Sequence, residues 1–156
     1  MSDGVSTIPG GVRSTVHLFG HPIHPMLIPF PIALLIAAAL SDIVFVIDGD
    51  DFWARASLWL VGSGVVTGAL AAIVGLVDFL TIDRVRSLAS GWIHFLGNVA
   101  VLVISLISWL LRIGDPAGFI SPWGLVLSLV TVALLGVTGW TGGELSYRHQ
   151  IGVTGP

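Results

Sequence analysis

Four apolar runs, each about as long as a bilayer is thick, leave this chain few folds to choose from. A spanning helix needs about 20 mostly apolar residues, and the runs at about 26–47, 57–82, 92–111 and 122–143 meet that length. Backbone polar groups in hydrocarbon find no water, so such runs must close their hydrogen bonds internally, as helices. Charged residues make up 10% of the 156, against roughly 25% in a soluble domain, and mean hydropathy is +0.98. The connections D-R-V-R-S-L-A-S-G and R-I-G-D-P-A-G-F-I-S are short enough to hold sequential spans antiparallel. The expected fold is all-α: a four-helix transmembrane bundle, up-down-up-down, with both termini on the same side. It fills residues 17–153, behind a mobile polar N-terminal arm (1–16) and ahead of a 154–156 tail. The arm has no apolar core of the kind a cleavable signal peptide needs.

Tryptophan placement supports the four spans independently. Trp53, Trp59, Trp92, Trp109, Trp123 and Trp140 all fall near expected span ends, where indoles favour the headgroup level. Span two carries Gly64-Val-Val-Thr-Gly68, with Ser63, Thr67, Ala71 and Gly75 also small. Small residues four apart let helices approach closely in lipid, and packing alone accounts for them.

Let side A be the face holding the N-terminus. Arg13, Arg84, Arg86 and Arg148 then lie on side A, against Arg55 and Arg112 on side B. The positive-inside rule makes side A cytoplasmic, so the chain is expected in the inner (plasma) membrane with both termini in the cytoplasm.

All five histidines, His17, His21, His24, His94 and His149, come to side A on this topology. With them come Asp78, Asn98, Glu144 and Tyr147. Ionisable residues at membrane depth are costly and generally face the bundle interior or a water-filled cavity. In H-P-I-H-P-M-L-I-P-F-P, residues 21–31, four prolines forbid one regular helix and predict a kinked or partly extended entry. A helical turn would set His21 and His24 on one face; an extended path would point them apart.

His94 and Asn98 are one turn apart on one face, so Asn98 is a candidate to hold a ligating His94 in its tautomer. Gly91 and Gly97 leave room nearby for something bulky. Taken singly, His94 is more often a satisfied interior residue, Glu144 and Arg148 an ordinary surface pair, and His149 solvated. Asp42 stands apart in the side B half of span one, either bonded to a small polar group such as Ser41 or Thr131 or close enough to side B to be wet. A weak repeat also shows: Gly75 to Arg84 closes span two with the spacing that Gly139 to Arg148 has at the end of span four.

Several chemistries are excluded. No cysteine means no disulfide, thiolate metal site or cysteine-ligated cluster. No lysine means no Schiff base. A net charge of −3 without a basic cluster argues against nucleic acid, and no Gly-x-Ser-x-Gly elbow is present.

The stretch HPIHPMLIPFPIALL, the Asp near the end of span two, the His-x-x-x-Asn of span three and the ending GGELSYRHQIGV together resemble bacterial membrane proteins grouped as domain of unknown function 2231. The likeness runs from His17 to Val153. The family pattern has a glycine after the last histidine, where this chain has Gln150. Some relatives are fused to a Rieske-type iron–sulfur domain, which implies an association with electron transfer; this chain lacks the cysteines for such a cluster.

Three functions follow as expectations. In the first, haem b serves electron transfer, with His24 and His94 as axial ligands and His21 or His149 as substitutes. Asn98 lies nearby, and Arg148, Arg84 or Arg86 pairs with propionates; quinone, a redox partner protein or a larger membrane complex would be the partner. In the second, His21, His24, His94 and His149 with Asp78 or Glu144 bind zinc, iron or manganese. In the third, the chain is a cofactor-free structural or assembly subunit. An electron-transfer or binding subunit fits the sequence better than a stand-alone enzyme.

Overall fold

A computed structural model describes residues 11–153 of the chain. The first ten residues of the expected arm and the 154–156 tail lie outside the described residues. Strands β1 (His17–Leu18) and β2 (His21–Pro22) form a two-residue antiparallel hairpin. Its turn is made by Phe19 at φ 49° and Gly20 at φ 85°. Two residues in succession with positive φ fit the twist of such a tight hairpin.

Span one is α1 (Ile23–Leu27) followed by α2 (Pro29–Asp48). The first span is interrupted at Ile28, in front of Pro29, which opens α2 at its first position. Gly49, at φ 79°, closes α2 in the left-handed conformation, and its N–H donates to Phe45 O at 2.8 Å. Span two, α3 (Asp51–Thr81), begins six residues earlier than its hydropathy suggested. Asp50 caps it, accepting from Phe52 N at 2.8 Å. Short α4 (Asp83–Arg86) leads to span three, α5 (Ala89–Arg112).

Span four is α6 (Pro116–Phe119), a kinked link (Ile120–Gly124), α7 (Leu125–Gly143) and a closing π-helical segment (Glu144–Arg148). It bends at Ser121, where ψ is 113°, because a residue before proline is pushed out of the helical region.

The four spans form a square in chain order, with spans one and three on one diagonal and two and four on the other. Leu35, Ala38, Val61, Val65, Val101 and Leu135 meet at its centre. The glycine stripe of α3 does pack the bundle. Leu35 of α2 lies against Gly64, while Leu102 and Trp109 of α5 lie against Gly68 and Gly62. Outward positions such as Leu40, Leu70, Leu96 and Leu129 are exposed, as a lipid-facing surface requires.

The two ends of the described chain meet at side A. Val12 N donates to Gln150 O at 3.0 Å, and Gly152 N to Val12 O at 2.7 Å. Val12 and Ile151 pack there on Phe79, Ile82 and Val85. Residues 11–16, read from sequence as part of a mobile arm, are thus held against the bundle.

Candidate functional site

Of the expected side A cluster, two histidines face each other. His24 projects from α1 and His94 from α5, on the diagonal of the square, with ring centroids 6.2 Å apart and ring planes at 86°. His24 Nδ1 lies 2.9 Å from Ala71 O of span two, and His94 Nδ1 lies 2.8 Å from Thr138 O of span four. A carbonyl can only accept, so both Nδ1 atoms carry the proton, and Nε2 of each ring is left outside these bonds. Each imidazole is seated in a notch where a helix lacks a side chain. A Cβ on Gly75 would stand 2.8 Å from His24 Cε1, and a Cβ on Gly142 would stand 2.8 Å from His94 Cε1.

The two halves of this arrangement are copies. His24 and His94 are 70 residues apart, while Ala71 and Thr138, and also Gly75 and Gly142, are 67 apart. A two-helix unit, one histidine on its first helix and a carbonyl and glycine one turn apart on its second, occurs twice around a central axis. The repeat seen in sequence therefore exists, but its register is three residues off the one that paired Gly75 with Gly139.

The other expected members go elsewhere. Asp78 belongs to the N-terminal segment: its carboxylate accepts from Ser14 Oγ at 2.6 Å, Thr15 N at 2.8 Å and Val16 N at 3.3 Å. His21 sits on β2, exposed, so the extended path separates it from His24. His149 Nε2 lies 3.8 Å from Glu144 Oε1, which Arg148 Nη1 approaches at 3.3 Å; this is a separate polar group at the end of span four.

Asn98 does not orient the His94 ring. Its Nδ2 donates to the backbone oxygen of His94 at 2.7 Å, and the ring is held by Thr138 instead. The room expected beside Gly91 and Gly97 is taken by Val85 and Thr138. Arg86 donates to the last carbonyls of span two, Phe79 O and Leu80 O, and to Asp83. Among the described residues no three His, Asp or Glu side chains gather closely enough to hold a metal ion. Gln150 takes φ 55°, which explains why a glycine suits that position.

The largest departure from the sequence reading is at side B. Asp42 pairs with neither Ser41, whose hydroxyl donates to Trp53 O, nor Thr131, and it is not wet. Arg112, counted above as a side B loop charge, turns inward and donates to both Asp42 oxygens at 2.8 Å, with neither side chain exposed. Ser57 Oγ donates to Asp42 Oδ1 at 2.5 Å and Ser128 Oγ to Oδ2 at 2.6 Å. Arg112 also reaches Ser108 Oγ at 3.2 Å and Gly124 O at 3.1 Å. One fork-on-fork ion pair thereby links all four spans.

The signal for it was present. Asp42 follows His24 by 18 residues, and Arg112 follows His94 by 18. Eighteen residues are about five helical turns, so within α5 Arg112 shares a face with His94, roughly 27 Å further along the helix. Asp42 and Arg112 are themselves 70 apart, the equivalent positions of the two repeats.

A family model described as predicted membrane protein (DUF2231) matches residues 20–155. No curated protein matches the chain, and no solved structure does.

Proposed function

The chain belongs to the DUF2231 family of predicted membrane proteins, and from that premise we propose that it is a membrane electron carrier whose His24 and His94 ligate a haem b iron. The observation that carries this reading is the facing pair, with centroids 6.2 Å apart and both Nδ1 protons committed to backbone carbonyls. His24 and His94 would hold the iron through their Nε2 atoms, one from span one and one from span three. A bare ion needs a third protein donor, and no group of three donors forms among the described residues. A porphyrin brings four donors of its own and asks the protein only for two. When bound, haem supplies one-electron chemistry.

What the chain contributes is the holding of two nitrogens. Ala71 O and Thr138 O fix the tautomer of each ring and leave its Nε2 free. The Gly75 and Gly142 notches fix where each ring stands. Arg148, at side A with one contact to Glu144, is the candidate partner for a propionate. The arginine distribution supports a cytoplasmic side A in the inner membrane, which would direct exchange of electrons to a cytoplasmic partner or to quinone at that interface.

The second reading, a cofactor-free subunit, has its own observation. Both imidazoles already pack tightly and cross-link spans one to two and three to four. The absorption spectrum of protein purified after expression with ample haem separates the two. A Soret band with sharp reduced-state bands, lost in both His24→Ala and His94→Ala while the bundle stays folded, is expected. No Soret band selects the cofactor-free reading, and a Soret band that survives both substitutions puts the haem on other ligands and overturns the assignment to His24 and His94.

A further inference from the structure

Beside the Asp42–Arg112 pair, in the side B half of the core, lies a small cavity of about 10 Å³. Its apolar wall is Leu35, Ala38 and Val61, and its polar wall is Ser105, Ser108, Ser128 and Thr131. Ser105 is 1% exposed, and its Oγ has no hydrogen-bond partner among the described residues. Hydroxyls inside spans usually bond to a carbonyl one turn back, and Thr67, Thr81 and Thr141 of this chain do so. Ser105 does not. A buried hydroxyl left unbonded is penalised by its lost hydration.

We infer that one water molecule is bound here as a fixed member of the ion-pair network, held by Ser105, Ser108 and Ser128. The volume is about the least that admits a single water molecule. The hydrogen-bond count closes as well. Ser108 Oγ accepts from Arg112 Nε, and its own proton goes to no described residue. Ser128 Oγ donates to Asp42 and accepts from Arg112, which leaves a second lone pair. The water accepts from Ser105 and Ser108 and donates to Ser128, reaching the three bonds typical of buried waters. Hydroxyls alone line the polar wall and the neighbouring charges already neutralise each other, so the site suits a neutral ligand and not an ion.

The sign of one substitution tests this. With a bound water, Ser105→Ala removes one of its three bonds and lowers the thermal unfolding midpoint by a few degrees. In a dry cavity the same change replaces an unsatisfied hydroxyl with a methyl group and leaves the midpoint unchanged or raises it, which overturns the inference. A high-resolution structure of the unaltered protein in lipid decides the matter without any variant. Solvent density within hydrogen-bond distance of Ser105 Oγ and Ser108 Oγ supports the site. A Ser105 hydroxyl turned to its own helix, with no such density, removes it.

Discussion

Asp42→Asn keeps the shape of the side chain and removes its charge. Arg112 then stands fully buried as a cation, facing an amide that offers one oxygen and one N–H where two oxygens stood at 2.8 Å. Gly124 O and the hydroxyls of Ser57, Ser108 and Ser128 remain within reach, but none carries negative charge. Removing one partner of a buried ion pair costs about 3–5 kcal/mol. In a micelle parted helices find alternative partners, which moves the expectation toward the lower figure. Even about 3 kcal/mol is a roughly 150-fold change in the folding constant, and a large part of a total stability of about 5–15 kcal/mol.

Reversible unfolding in mixed micelles, followed through the tryptophans, measures it. The decisive comparison is Asp42→Leu combined with Arg112→Met, which leaves no buried charge and lets Ser128 turn toward its own helix. The double variant should be milder than Asp42→Leu alone, with a coupling of about 2 kcal/mol. If Asp42→Asn costs under about 1 kcal/mol, or the two replacements simply add, the pair does not hold the side B end together.

The glycine notches make a sharper contrast at side A. Gly75→Ala and Gly142→Ala each push a methyl group to 2.8 Å from an imidazole and should cost about 1–3 kcal/mol by overpacking. Gly139→Ala meets nothing within 4 Å and should leave stability equal or slightly higher in the same unfolding assay. Asp78→Ala removes the acceptor of two backbone N–H groups and the Ser14 hydroxyl, so amide exchange at Thr15 and Val16 should accelerate at least tenfold while the spans stay protected. Asn98→Leu touches only a backbone oxygen, so any Soret band should be unchanged; its loss would return Asn98 to the site.

Much of the side A arrangement was open to sequence reasoning, and the limits of that reasoning have physical causes. Hydropathy located the spans but not their ends, because a cap such as Asp50 or a left-handed Gly49 decides where a helix stops. The prolines of residues 21–31 announced a break, yet whether His21 and His24 shared a face depended on the hairpin turn at Phe19 and Gly20. Asp78 was legible as an interfacial carboxylate, but its partners Ser14, Thr15 and Val16 lie more than 60 residues away in the chain.

By itself, the sequence determined that the chain is four membrane-length helices with short turns, since unbroken apolar runs of about 20 residues suit a spanning helix and not the shorter, alternating strands of a barrel. It also determined that the histidines and the arginine-rich ends collect on one side, because up-down topology follows from loop length alone. Only the tertiary structure decided which of those side chains meet. Facing pairs depend on how the spans are rotated about their own axes, and side-chain packing sets that rotation, with Gly75 and Gly142 admitting two imidazoles and Leu35 filling the notch at Gly64. The same rotation turned Arg112 from a loop charge into the partner of Asp42. An isolated helix end favours water for such a group; a neighbouring helix that presents a carboxylate at the same depth reverses the preference.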